Sequence, residues 1–249
     1  VYKSTVFSIG VPAPCPVLLS TYNTRGLSFS TSSANFCNFA AILKACIEST
    51  REYPADIVLI THDHGDHYDF SSLSKIGTNE TVFIFPNNMT SEIDYWNAIG
   101  VNPEDHVQIG DINITAFYMY TWSPPGYEEY PASHPEECNY TSYIIDINGF
   151  TIFHAGDSKC LEEYERLTGQ IDVALLPLGP GCQTMAAGEV VDALDVIEPS
   201  FFIPIHSTYL DALSFLDTYD TQIESRIDCE CIALRDFETH IFETVEPTA

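Results

Sequence analysis

The chain has 249 residues, of which 45% are hydrophobic and 18% charged, so it can bury a substantial core and is not expected to be disordered. It carries 9 Lys and Arg against 36 Asp and Glu, and this net charge of −27 repels a phosphate backbone and excludes an extended nucleic acid partner. No apolar run approaches the roughly 18 residues of a membrane-spanning helix, so we expect no membrane span.

The hydrophobic pattern predicts alternating helices and strands. Residues 34–50 have helical spacing and precede a buried strand over 56–60, which leads directly into the segment THDHGDH. The pattern then predicts, in chain order, a helix near 71–76, a strand over 82–85, a helix near 91–99, strands through 106–120, a hairpin over 141–155 turning at Asn148 and Gly149, a strand over 173–176, a helix over 185–197, a strand over 201–205 and a helix over 209–219. No repeat or linker interrupts this order. We therefore expect a single domain over 1–249, a layered α/β structure with its functional residues at strand ends.

Eight cysteines and four N-glycosylation sequons bear on the cellular compartment. No cysteine spacing forms the CxxC pairs of a zinc knuckle, so we interpret the even count as disulfide pairs. The sequons begin at Asn79, Asn88, Asn113 and Asn139 and are typical of a glycoprotein. With the missing initial Met, they predict a secreted or extracytoplasmic protein. The alternative is the cytoplasm of a salt-adapted organism, which would also explain the acidity.

A cluster of potential metal ligands follows the predicted strand over 56–60. Four such side chains fall within six residues, namely His62, His64, Asp66 and His67. Imidazole and carboxylate groups suit zinc, iron or manganese, and one ion takes about four to six of them. Two ions need further ligands, which the chain offers on predicted loops or strand ends at His134, Asp157 and His206. A solvated, His-rich turn is the simpler alternative.

The order of these residues resembles a known family. HxHxDH after a strand, then a His, a Gly-Asp pair and a strand-terminal His is the ligand order of the metallo-β-lactamase superfamily. The segments FHAGDS, DVALLPLGPGCQTM and FFIPIHS resemble the branch that contains L-ascorbate-6-phosphate lactonase and the N-acyl phosphatidylethanolamine phospholipases. The resemblance spans roughly residues 55–210. It implies an α/β (α+β) fold, a four-layer αββα sandwich with the metals at one edge of its two sheets.

The resemblance also implies a ligand set. The first metal would be held by His62 and His64 with a third His, and the second by Asp66, His67 and His206.

Asp157 would bridge the two metals. His134 is our choice for the third His, because it lies on a loop 23 residues before Asp157 (157 − 134), near the spacing in the family. His154 is the alternative, which we interpret instead as a residue that orients a ligand or Asp157.

The resemblance implies a dinuclear metal-dependent hydrolase, in which a metal-bridging hydroxide cleaves a small-molecule lactone or phosphodiester. Two divalent ions, Zn²⁺ or alternatively Mn²⁺ or Fe²⁺, would lower the pKa of water from 15.7 to roughly 7 and polarise the oxygen under attack. Asp66 would orient that water and take its proton, so Asp66 and His154 are the candidate catalytic residues. Lys159 could reach a substrate anion or be solvated.

Two alternatives share these ligands. One is an acyl-amide or lipid phosphodiesterase, and the other is a metal-binding protein of the same fold without turnover. The sequence leaves the oligomeric state open.

Overall fold

The computed structural model describes residues 55–127, 129–179, 181–235 and 238–244, together with the backbone of three strands before residue 55. The helix predicted over 34–50 lies outside the described residues. The single-domain boundary over 1–249 stays a prediction.

Two seven-stranded sheets form the centre of the described structure. The strands of the first sheet are β1 (Thr5–Val11), β2 (Val17–Tyr22), β3 (Gly26–Ser30), β4 (Ile57–Leu59), β5 (Val82–Pro86), β6 (Ile99–Val101) and β14 (Glu238–Thr244). Their spatial order is β14-β1-β3-β2-β4-β5-β6. The strands β1, β2 and β3 were not predicted from the sequence.

The second sheet lies face to face with the first. Its strands are β7 (His106–Ile109), β8 (Ile112–Tyr118), β9 (Thr141–Ile147), β10 (Phe150–His154), β11 (Val173–Pro177), β12 (Phe201–Ile205) and β13 (Glu230–Cys231), in the spatial order β13-β12-β11-β10-β9-β8-β7. The predicted hairpin is β9 and β10, and both turn residues have positive φ, 55° at Asn148 and 86° at Gly149. This is the type I′ geometry that an Asn-Gly pair favours.

Helices cover both outer faces of the sheet pair. They are α1 (Phe70–Ile76), α2 (Thr90–Trp96), α3 (Ala187–Ile197) and α4 (Tyr209–Ile227), with short 3₁₀ helices at Glu136–Cys138, Glu162–Leu167 and Gly181–Gln183. The predicted α4 ended at 219, but the helix continues because Ile223 extends its buried face. None of the described helices is long and apolar enough to cross a membrane.

Three apolar clusters hold these layers together. Between the sheets, Ile57 and Leu59 of β4 pack with residues of the second sheet such as Tyr143. The intervening residue of β4, Val58, and the following Ile60 face α1 and α2 instead. A strand buried on both faces reads as a continuous apolar run, which explains the pattern at 56–60. The third cluster joins the second sheet to α3 and α4. The predicted four-layer αββα arrangement is therefore confirmed.

The structure does not support the predicted disulfide pairing. The five described cysteines are free thiols, and Cys15, Cys37 and Cys46 lie outside the described residues. Cys229 is fully buried in the cluster beneath α3 and α4, where it packs as a small apolar side chain. Packing thus explains Cys229 without a disulfide. The four sequon asparagines are exposed, and their glycosylation and the secreted location stay predictions.

Candidate metal centre

The centre lies where β4, β10 and β12 end, at one edge of the two sheets. β4 leads to His62, β10 to Asp157 and β12 to His206. The structure brings all seven predicted ligands into three overlapping groups, in each of which one ligand atom per residue lies within 4.8 Å of the others. The groups are His62, His64 and His134; His62, Asp66 and His67; and His67, Asp157 and His206.

Three imidazoles converge in the first group. Nε2 of His134 lies 3.3 Å from Nε2 of His62 and 3.2 Å from Nδ1 of His64. Nitrogens bound 2.0–2.1 Å from a tetrahedral zinc ion lie about 3.3 Å from one another, because the edge of a tetrahedron is about 1.6 times its radius. The spacing of these three nitrogens therefore fits a zinc-sized ion.

The Asp157 carboxylate lies between the first group and the remaining ligands. Its Oδ1 is 3.1 Å from Nε2 of His67, and its Oδ2 is 3.2 Å from Nε2 of His206. Oδ2 is also 3.8 Å from Nε2 of His134 and 4.0 Å from Nε2 of His62. One carboxylate thus faces both groups of ligands, as expected of a bridging residue.

Burial makes the polar atoms of this centre costly to leave without partners. Asp157 is 1% exposed, and its two short contacts are with the imidazole nitrogens of His67 and His206. Neither of its oxygens has any other hydrogen-bond donor among the described residues, and Nδ1 of His134 has no hydrogen-bond partner there. A buried carboxylate is normally compensated by a cation or by donors. The donor set and its burial thus fit divalent metal ions.

Three of the predicted ligands are held in the protonation states that metal ligands need, whereas at His67 and His206 burial is outweighed by the Asp157 carboxylate, which raises the pKa. Burial lowers the pKa of His62 well below its usual value and lowers the pKa of His134 to about 4. Burial alone would raise the pKa of Asp157, but the neighbouring His67 and His206 hold it well below its usual range. At neutral pH His62 and His134 are therefore neutral and the aspartate is charged.

Comparison with known proteins agrees with this geometry. The model of the β-lactamase superfamily domain matches residues 38–207. The chain belongs to the β-lactamase superfamily. Residues 38–207 contain all seven members of the centre.

Curated relatives within the superfamily are similar over about two thirds of their length. A UPF0173 metal-dependent hydrolase from Pyrococcus furiosus is 32% identical over 157 residues, covering 61% of this chain and 66% of the relative. A UPF0173 metal-dependent hydrolase from Thermoplasma volcanium is 32% identical over 162 residues, covering 64% and 68%. The narrower branch with the lactonase and phospholipases stays a prediction.

Solved structures share the metallo-β-lactamase fold. Igni18, a metallo hydrolase from Ignicoccus hospitalis, superimposes with a TM-score of 0.60 at 22% identity, covering 77% of this chain and 81% of that chain. The metallo-β-lactamase fold protein YhfI from Bacillus subtilis gives a TM-score of 0.60 at 12% identity, covering 98% and 100%. At these identities the similarity is one of fold.

Two further side chains support the superfamily motif, and neither was predicted from the sequence. Oγ1 of Thr61 lies 2.9 Å from Nδ1 of His62 and 3.4 Å from Nδ1 of His67, so in both rings it engages the nitrogen opposite Nε2. Tyr140 donates a 2.6 Å hydrogen bond from its hydroxyl to Oδ1 of Asp63, between the two first histidines of the motif. The position of Thr61 directly before the motif is the only sequence signal for either role.

His154 lies in none of the three ligand groups of the superfamily centre. Its Nδ1 accepts a 3.1 Å hydrogen bond from the backbone N–H of Gly156, so it stabilises the turn that leads to Asp157. Gly156 has φ of 60°, and a Cβ there would lie 2.6 Å from Sδ of Met119. The turn therefore requires glycine. These contacts agree with an orienting role for His154, which stays a prediction, as does the base role of Asp66.

Lys159 is neither solvated nor free to reach a substrate anion. Its side chain is 16% exposed, and Nζ lies 2.8 Å from Oε2 of Glu189 and donates to the backbone oxygen of Thr184 at 3.0 Å. The same Glu189 accepts a hydrogen bond from the N–H of Cys160. The charge of Lys159 is thus used inside the protein, to fasten the loop at Thr184.

Proposed function

We propose that this protein is a dinuclear metal-dependent hydrolase that cleaves a small-molecule lactone or phosphodiester. The observation that carries the proposal is the convergence of five imidazoles and two carboxylates in overlapping groups around Asp157. Seven ligands exceed the four to six that one ion takes. The names of the Pyrococcus and Thermoplasma relatives, metal-dependent hydrolases, support the same class of activity.

The residues divide naturally between two ions. His62, His64 and His134 would hold the first, and Asp66, His67 and His206 the second. Asp157 would contact both. Zn²⁺ fits this mixture of nitrogen and oxygen ligands, as do Mn²⁺ and Fe²⁺. When bound, such ions supply a nucleophilic water near neutral pH and polarise the oxygen of the scissile group.

Asp66 is the residue of this chain best placed to handle the proton of the attacking water. Its side chain is 46% exposed, whereas Asp157 is buried, so Asp66 is the carboxylate that a water entering from solvent meets. Its Oδ2 lies 3.8 Å from Nε2 of His67, which keeps it beside the centre. We infer that Asp66 orients the water and accepts its proton.

Charge restricts the substrate. A net charge of −27 disfavours polyanions, and Lys159 is already paired with Glu189. Lys159 is therefore not available to bind an anionic group on the substrate. These features support a small molecule with one reactive ester, lactone or phosphodiester group.

Metal analysis followed by a substrate panel tests the proposal. Protein purified without added metal and then reconstituted is expected to hold close to two divalent ions and to hydrolyse a member of a panel of lactones and phosphodiesters. His67→Ala and His206→Ala are each expected to lose chiefly one ion. His106→Ala is the matched control, because this exposed histidine on β7 bonds to Thr115 outside the centre. A wild-type protein that takes up no metal would refute the proposal.

A further inference from the structure

The segment DVALLPLGPGCQTM contains none of the proposed ligands, yet one of its side chains contacts the chain next to a ligand. Oε1 of Gln183 accepts a hydrogen bond from the backbone N–H of Ser133 at 2.7 Å. Nε2 of the same amide donates to the backbone oxygen of Pro131 at 3.3 Å. Gln183 therefore binds one backbone donor and one backbone acceptor in the short segment that leads directly into His134.

The loop that carries Gln183 is closed on itself. Cys182 and Gln183 have φ values of 51° and 61°, the left-handed region that costs energy in residues other than glycine. Oγ1 of Thr184 donates across the loop to the backbone oxygens of Gly179 and Gly181, and Lys159 donates to the backbone oxygen of Thr184. These contacts hold the strained backbone in place and present the Gln183 amide in a fixed direction.

The position of His134 depends mainly on its backbone, unlike that of His62 and His67, whose imidazoles contact Thr61. The imidazoles of His62 and His67 each have a hydroxyl beside Nδ1, whereas Nδ1 of His134 has no hydrogen-bond partner in the described part of the chain. The backbone of His134 is held by Thr121, whose Oγ1 accepts from its N–H at 3.0 Å and whose N–H donates to its oxygen at 2.8 Å. Gln183 anchors the residues on the N-terminal side.

We propose that Gln183 is a positioning residue that, with Thr121, fixes His134 for the first metal. The inference rests on the proposed function, since it takes His134 as a ligand of that metal. It assigns a role to the GPGCQTM segment: the loop between β11 and α3 sets the position of a ligand supplied by a different loop. It also accounts for the internal ion pair of Lys159, which stabilises that loop.

Gln183→Met tests this role, because methionine keeps the length of the side chain and removes both hydrogen bonds. Gln108→Met is the matched control, since this exposed glutamine lies on the far strand β7 and its amide donates at 3.4 Å to the backbone oxygen of Gly110. Metal-free wild-type and variant proteins would be titrated with Zn²⁺ against a chelating dye, with His134→Ala and His206→Ala as references for the two ions. The spectrum of each Co²⁺-loaded protein and backbone hydrogen exchange over 121–138 would be measured as well.

Gln183→Met is expected to lower the affinity for one Zn²⁺ ion by about 10-fold to 100-fold, the range for residues that orient metal ligands. This is the ion whose affinity His134→Ala also lowers. The other ion keeps its affinity within about twofold, the Co²⁺ spectrum changes, and exchange over 131–134 becomes faster. Gln108→Met behaves as wild type.

Three results would overturn the inference. A Gln183→Met protein with both wild-type affinities and an unchanged Co²⁺ spectrum shows that the amide does not position His134. An equal loss of affinity for both ions shows a general effect on the stability of the protein. A wild-type protein that binds no Zn²⁺ removes the proposed function and this inference with it, whereas the first two results leave the proposed function intact.

Discussion

Replacing Thr61 by valine tests how the imidazole ligands beside it are oriented. Valine keeps the β-branched shape of threonine, and the backbone bond from the N–H of Thr141 to the oxygen of residue 61 does not depend on the side chain. The variant loses the hydroxyl that lies 2.9 Å from Nδ1 of His62 and 3.4 Å from Nδ1 of His67. A neutral imidazole that binds a metal through Nε2 carries its proton on Nδ1, so the hydroxyl oxygen acts as the acceptor.

The magnitude follows from the two distances. A hydrogen bond contributes about 0.5–1.5 kcal/mol net, and a donor left buried without a partner costs about 1–3 kcal/mol. The 2.9 Å contact to His62 lies at the usual hydrogen-bond distance, whereas the 3.4 Å contact to His67 is long. We therefore expect the first ion to lose about 10-fold to 100-fold in affinity, or about 1.4–2.7 kcal/mol, and the second ion to lose less.

Competition between the protein and a chelating dye for Zn²⁺ measures both affinities. Thr61→Ser is the control, since it keeps the hydroxyl and removes only a methyl group, and it should lie within about threefold of wild type. If Thr61→Val binds both ions as tightly as wild type while its fold is intact, the two imidazoles are oriented by packing alone and the reasoning fails.

Three further predictions address catalysis, the Gly156 turn and the metals. Asp66→Asn is expected to lower kcat by roughly two to four decades while metal content falls only modestly, because asparagine keeps an oxygen ligand. A wild-type rate with full metal content would show that Asp66 is not the base. Gly156→Ala should lower the free energy of unfolding by about 2–4 kcal/mol, because it combines a left-handed φ with overlap against Met119. Gly169→Ala is the control, with φ of 66° and open space around the added Cβ, and should lower it by only about 1 kcal/mol. Equal losses in urea denaturation would contradict the clash with Met119. Removing the metals with a chelator should lower Tm, since ions that bind only the folded state stabilise it by about 2.7 kcal/mol at 100 times Kd, and an unchanged Tm in metal-free protein would argue against ions at a buried centre.

The sequence predicted those ligands that are local in the chain. His62, His64, Asp66 and His67 lie on one loop after an apolar strand, so their proximity follows from the chain itself. His134 was chosen from its spacing to Asp157, and the structure places it in the first group. Spacing could not predict Gln183, because its contacts with residues 131–133 depend on how two loops meet in the folded protein.

Two kinds of prediction failed, one drawn from pattern and one from composition. The strands β1 and β3 were missed because Ser and Gly interrupt their apolar residues in the segments TVFSIGV and GLSFS. The cysteine count is a property of composition alone, and it carries no distance between thiols. Cys229 shows the consequence, since its burial beneath α3 and α4 explains its presence without a disulfide.

The centre joins ligands from both sheets, so its dimensions depend on how the sheets are registered. The motif loop leaves the first sheet after β4, whereas Asp157 and His206 leave the second. Two hydrogen bonds cross between the sheets at this edge: the hydroxyl of Tyr143 donates to the backbone oxygen of Ile60 at 2.7 Å, and the N–H of Thr141 donates to that of Thr61 at 3.1 Å. Both donors lie on β9, the hairpin partner of β10, which leads to Asp157. The same strand therefore fixes the motif loop and the bridging carboxylate, and the distance between them is set by the sheet packing before any metal is bound.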